Sequence, residues 1–205
     1  MVVCLLGRVT DRNVRIAVAG SILDVCKHNP DDALQLVPLL QTLLHDSCFV
    51  VVSLSVCALR AMCVQYYLDV FAVLVVLRFS KAPLTSAVAR REMCRLYAVA
   101  ADDSLNPEFE MDTIEVLNDL HQQCLPHSNP YPTARAAAFR SLSRFVDFAI
   151  QDRESLQEEP VLKWLGRLDI LSSLWRRLGD ETSGCARSAL QNLWTRITVL
   201  EIVSG

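Results

Sequence analysis

Three ligand-type residues stand at even spacing near one helix end: His121, Cys124 and His127, an H-x2-C-x2-H cluster. Imidazole and thiolate are donors that zinc prefers, but a structural zinc site closes with four of them. No fourth ligand has a matching motif, so the cluster reads as a helix end running into the proline-rich connector "LPHSNPYP". The expectation is no metal and no cofactor. Eight cysteines (4, 26, 48, 57, 63, 94, 124 and 185) and four histidines also offer a Cys–His nucleophilic pair. Such a pair needs a base beside the thiol and an oxyanion cradle. No activated-nucleophile motif is present, and neither GxxxxGK[ST] nor GxGxxG occurs. With 6 glycines a phosphate cradle is hard to build. No catalytic residue is assigned, and the chain reads as a non-enzyme.

The arginines offer a different chemistry. Arg90, Arg91 and Arg95 lie close on one helix, and Arg140 and Arg144 follow Arg135 on another, in "PYPTARAAAFRSLSRF". Aligned on one face they would make a basic stripe for RNA. Glu92, Asp102 and Asp103 dilute the first group, and no aromatic stacking platform is interleaved. Net charge is −3, which gives no whole-molecule pull toward nucleic acid. Arg140, Arg144, Arg90, Arg91 and Arg95 are therefore candidates for facing a protein partner. Arg15, Arg135 and Arg187 stand at helix starts, where an arginine is expected to pair with an acid of a neighbouring unit.

These side chains need helices to position them. The chain has 205 residues, 52% hydrophobic and 21% charged, rich in Leu, Val and Ala, a balance that favours helices and excludes disorder. Apolar spacing predicts helices over 11–27, 30–45 (kinked at Pro38), 47–65, 67–79, from Pro83 to about 100, and from Asn106 onward. A seventh covers 131–150. After an acidic loop at 151–160, Trp164, Leu168, Leu171 and Trp175 form one stripe, Gly179 supplies a C-terminal stop, and a last helix follows. The spacing of the three tryptophans favours the core; the alternative is a partner-facing place near the end of the array, where exposed aromatic residues would mark an interface. "VLVVL" at 73–77 is strand-like in composition but sits between helix signals, so a buried helix is expected. The run from 49 to 79 is the most apolar; Arg60, Gln65 and Asp69 interrupt it, which argues against a membrane span. The cysteines lie in apolar helical runs without CxxC, which points to free thiols in a reducing compartment.

A repeat underlies the helices. Helices that follow a short turn begin near 11, 47, 84, 131 and 182. "VRIAVAGSI", "ARAAAFRSL" and "ARSALQNLW" share an arginine followed two residues later by Ala17, Ala137 or Ala189, a small residue that admits close helix approach. Such periods imply stacked helical hairpins, so the expected fold is all-α, an α-solenoid of HEAT or armadillo type. The expected array covers 1–205 with about five hairpins.

At "LSVCALRAMCVQYYLDVFAVLVVL" followed by "YPTARAAAFRSLSRF" the sequence resembles the focadhesin family, over roughly residues 31–145. Members of that family are very large solenoids, so the resemblance implies a fragment or short isoform of a longer array. It implies a non-enzymatic scaffold that binds other proteins, linked to focal adhesions and to support of the Ski complex, which feeds RNA to the cytoplasmic exosome. The implied location is cytoplasmic, at focal adhesions among other sites, and the remaining repeats of a longer chain would be neighbours. No catalytic residues are carried over. Two other readings stand beside it: an RNA-binding adaptor using the arginine-bearing helices, and a membrane-associated segment at 49–79.

Overall fold

The computed structural model describes residues 11–65, 68–79, 86–101, 110–151 and 160–204. Among these residues all regular elements are helices. They cluster into two compact units, Met1–Met93 and Cys94–Gly205.

The first unit holds α1 (Arg12–His28), α2 (Pro30–Gln35), α3 (Val37–Leu43), α4 (Phe49–Val64), α5 (Val70–Phe79) and the first half of α6 (Ala87–Ala100). Asp11 caps α1, its carboxylate accepting the Asn13 N–H at 2.7 Å. At the other end His28 sits in the last turn with Nδ1 2.9 Å from the Asp24 carbonyl, where the helix dipole favours it. The helix expected over 30–45 is broken at Leu36 rather than kinked. Pro38 occupies the first turn of α3, where its missing N–H costs nothing, whereas an uninterrupted helix would need that N–H. Helix α4 is buried nearly all round, with Val51, Val52, Val56 and Met62 in the core. It tolerates two buried serines because Ser53 and Ser55 donate back to the Phe49 and Val51 carbonyls, at 2.7 and 2.9 Å. "VLVVL" lies within helix α5, as expected: Val73, Leu74 and Leu77 are buried, while Val75 and Val76 face outward.

The second unit holds the rest of α6, α7 (Glu110–Cys124), α8 (Pro132–Gln151), α9 (Pro160–Leu165), α10 (Leu168–Asp180) and α11 (Gly184–Ser204). Helix α8 is its centre, packed along α11 and against α7. Ala134, Ala136, Ala137 and Ala138 are all buried, so their small size lets neighbours come close, while Phe139, Leu142 and Phe145 fill the gaps. Ser141 on α8 donates to the Cys94 carbonyl of α6 at 2.7 Å.

Two expectations are corrected here. The tryptophan stripe is not continuous, because the chain breaks between α9 and α10 at Gly166 and Arg167. Trp164 stays in the core, donating to Asn118 at 3.0 Å, but Trp175 is 62% exposed. Nor does Gly179 stop its helix: α10 runs on to Asp180 and ends where Glu181 turns extended. The onset near Pro83, the Asn106 cap and most of the 151–160 loop lie outside the described residues. No helix among the described residues is long and apolar enough to cross a membrane.

Candidate functional site

The polar chemistry of the molecule concentrates in the turns that launch long helices. Arg15 is the fourth residue of α1, and its guanidinium grips Asp46 with two nitrogens, Nε at 2.8 Å and Nη2 at 3.3 Å. Asp46 lies three residues ahead of α4 and also accepts the Cys48 N–H at 2.7 Å. The second unit repeats this arrangement. Arg135, fourth in α8, donates to Glu181 through Nε at 2.9 Å and Nη2 at 2.8 Å. Glu181 lies three residues ahead of α11 and accepts the Ser183 N–H at 3.1 Å. In both cases an arginine on one helix fixes the turn that starts the helix packed beside it. The two-point grip suits the planar fork of arginine and would not be reproduced by lysine.

A third turn has the same form without the charge. Asn129, fully buried three residues ahead of α8, accepts the Tyr131 N–H at 3.3 Å and donates to the Gln123 carbonyl at 2.7 Å. Arg135 reaches back six residues to the Asn129 carbonyl at 3.0 Å. Arg187, fourth in α11, makes the corresponding six-residue reach to the Glu181 carbonyl at 2.8 Å. Glu181 thus serves two arginines, one with its carboxylate and one with its backbone. Burial works against ionisation of Glu181, but the Arg135 guanidinium and the Ser183 N–H outweigh it and hold the carboxyl below the usual carboxylate range.

The expected pairing of helix-start arginines with acids therefore holds for Arg15 and Arg135, whereas Arg187 holds a carbonyl. Asp46, Glu181 and Asn129 were not singled out by the sequence alone. The available signal was a polar side chain three residues ahead of α4, α8 and α11, which becomes visible once helix starts are fixed.

The partner-facing candidates separate by burial. Arg90 is corrected: it is only 5% exposed, because it is the fourth residue of α6 and shares the inward face with Met93 and Tyr97. Arg91 is half-buried and donates to Glu92 at 3.3 Å. Arg95 is exposed. On α8 both Arg140 and Arg144 are exposed, the latter lying over the Phe148 ring at 5.1 Å.

The histidine–cysteine cluster is dispersed. His121 is buried, with Nε2 3.2 Å from Ser173 Oγ and its ring edge-on to Trp164. Burial lowers its pKa, so the ring is held neutral. Cys124 is wholly buried, and burial pushes its thiol well up. His127 is exposed at the rim of a cleft of about 380 Å3 that also touches Asp169, Ser173, Arg176 and Asp180. Among the described residues no three His, Cys, Asp or Glu side chains converge on a point that could hold a metal ion.

The family model described as Focadhesin/RST1, DUF3730 matches residues 5–142. No curated protein and no solved structure matches the chain. The family match takes in the Arg15–Asp46 pair and reaches the middle of α8, a region that overlaps the 31–145 expected from the resemblance.

Proposed function

From the premise that this chain belongs to the Focadhesin/RST1 family, we propose that it is a non-enzymatic scaffold: an α-solenoid of HEAT-like hairpins that binds other proteins. One observation carries the reading. Helices α1, α6, α8 and α11 each place an arginine at their fourth residue, and two of those arginines grip an acid ahead of the helix packed alongside. A polar joint repeated at corresponding positions is what a stacked array needs, since each hairpin buries its apolar face only against a neighbour. Scattering from the full chain tests the architecture. A compact globule of this length has a radius of gyration of about 17 Å. A clearly larger value supports the array, and a value at the globular limit counts against it.

The proposed setting is the cytoplasm, with focal-adhesion proteins and the Ski complex as the partners to test and the remaining repeats of a longer array as neighbours. The tagged chain, expressed in cells, should co-purify with a defined set of cytoplasmic proteins. Failure to enrich either group would remove that assignment. The RNA-adaptor reading loses support from the burial of Arg90 and from Glu92 beside Arg91. The membrane reading of 49–79 loses support because α4 is enclosed by its own unit.

A further inference from the structure

Helix α11 carries the device of α1 and α8 but leaves it open. On α1 the arginine heads a stripe of Arg15, Ala19, Ile22 and Cys26, whose three apolar members are buried. On α8 the same spacing gives Arg135, Phe139, Leu142 and Val146, all buried. In each case the arginine holds a carboxylate from the turn ahead of the adjoining helix. On α11 that spacing gives Arg187, Gln191, Trp194 and Thr198, and every one is exposed or half-buried. Among the described residues the Arg187 guanidinium has one hydrogen bond, through Nε to a backbone carbonyl, and no carboxylate within ion-pair distance. Within the stripe Trp194 meets Trp175 of α10, the ring centroids 5.0 Å apart and the planes tilted by 52°, and Trp175 is the most exposed large apolar side chain among the described residues.

We propose that Arg187 with Trp194 and Trp175 forms a docking surface for a helix of a partner protein whose leading turn carries Asp or Glu. The acid meets Arg187 as Asp46 meets Arg15 and Glu181 meets Arg135; the apolar side of the incoming helix covers the two indole rings. Charge complementarity selects the acid. An exposed Trp175 against a half-buried Trp194, beside an arginine, is the composition that concentrates binding energy at protein interfaces. The inference rests on the scaffold reading and gives it a location and a partner chemistry.

The test uses the full chain and a helical peptide of about 20 residues. The peptide opens Asp-Ser-Ser and carries leucines on one stripe. Binding is followed by the blue shift of tryptophan emission as Trp175 and Trp194 leave water. Replacing the peptide Asp by Asn, or Arg187→Ala in the chain, is expected to weaken binding about tenfold or more. Trp175→Ala should weaken it too, and Lys27→Ala, an exposed cation on α1, should leave it unchanged. Equal affinity for the Asp and Asn peptides would overturn the proposal without any variant being made. A loss with Lys27→Ala as large as with Arg187→Ala would reduce it to unspecific charge. Dimerisation of the chain alone, abolished by Arg187→Ala, would assign the surface to a second copy instead. If these controls fail while scattering and co-purification succeed, the scaffold reading stands and the Arg187 surface falls.

Discussion

Glu181 and Arg135 are enclosed on all sides, with side chains only 1% and 6% exposed. Removing one member of such a pair leaves the other charge buried without a partner, at a cost of about 3–5 kcal/mol. Glu181→Gln and Arg135→Ala are each expected to lower stability by that order in urea unfolding, and the double variant should lose far less than the sum. Arg15→Ala should be milder, because that pair is partly open to water. The pH dependence has two windows. Glu181 has a lowered pKa in the folded chain, so its contribution is present above the ordinary Glu range and is lost as pH falls through the folded value. His121 also has a lowered folded pKa, so its neutral form favours folding above the ordinary His value of 6.5, and stability declines as pH drops below that. Thermal melts from pH 7.5 to 5 should show a decline that His121→Gln flattens, while the decline below about pH 4.5 should be lessened by Glu181→Gln. The arginines of these joints were legible in the sequence as a recurring "R-x-A" pattern. Their acids were not, since Asp46 and Glu181 lie 31 and 46 residues away from the arginines they bind and no local rule links them.

At the level of the helices, sequence periodicity located the long segments well: α1, α4 and α8 start and stop within a few residues of their expected bounds. It failed at interruptions. Pro38 divides one expected helix, and the Gly166–Arg167 break divides the tryptophan stripe, turning Trp175 outward. Periodicity measures phase within one unbroken helix, and a break of one or two residues resets that phase. The alanine face of α8 gives a direct prediction. Ala138 has no exposed surface, so Ala138→Leu should destabilise by about 1–3 kcal/mol through overpacking, measured by chemical unfolding. On α7 the Thr113 hydroxyl is buried without a hydrogen-bond partner among the described residues, so Thr113→Val should be neutral or stabilising by about 1 kcal/mol.

For the whole chain, charge and thiol chemistry give the broadest expectations. With a net charge of −3 and Arg90 enclosed, the purified protein should not retain single-stranded RNA on a filter at physiological salt. Retention that falls steeply with added salt would restore the adaptor reading. The described cysteines form no disulfide with one another, and among them Cys185 alone is exposed. Burial pushes the Cys63 thiol up to about 12. Among the described cysteines a thiol reagent at neutral pH should label Cys185 first and reach Cys63 and Cys124 only as the fold opens, read by mass spectrometry. The all-helical class followed from composition and period alone, whereas the exposed end of the second unit became visible only once the helices were in place. The double role of Glu181 bears on ancestry. A segment made of an acidic turn and the arginine-bearing helix behind it contributes one negative group, held by the arginine of the preceding helix, and one positive group, which on α11 turns to a backbone carbonyl. Tandem duplication of that segment would give each new acid the open arginine of the segment before it. Such a lineage could lengthen or shorten by whole segments without stranding a buried ion.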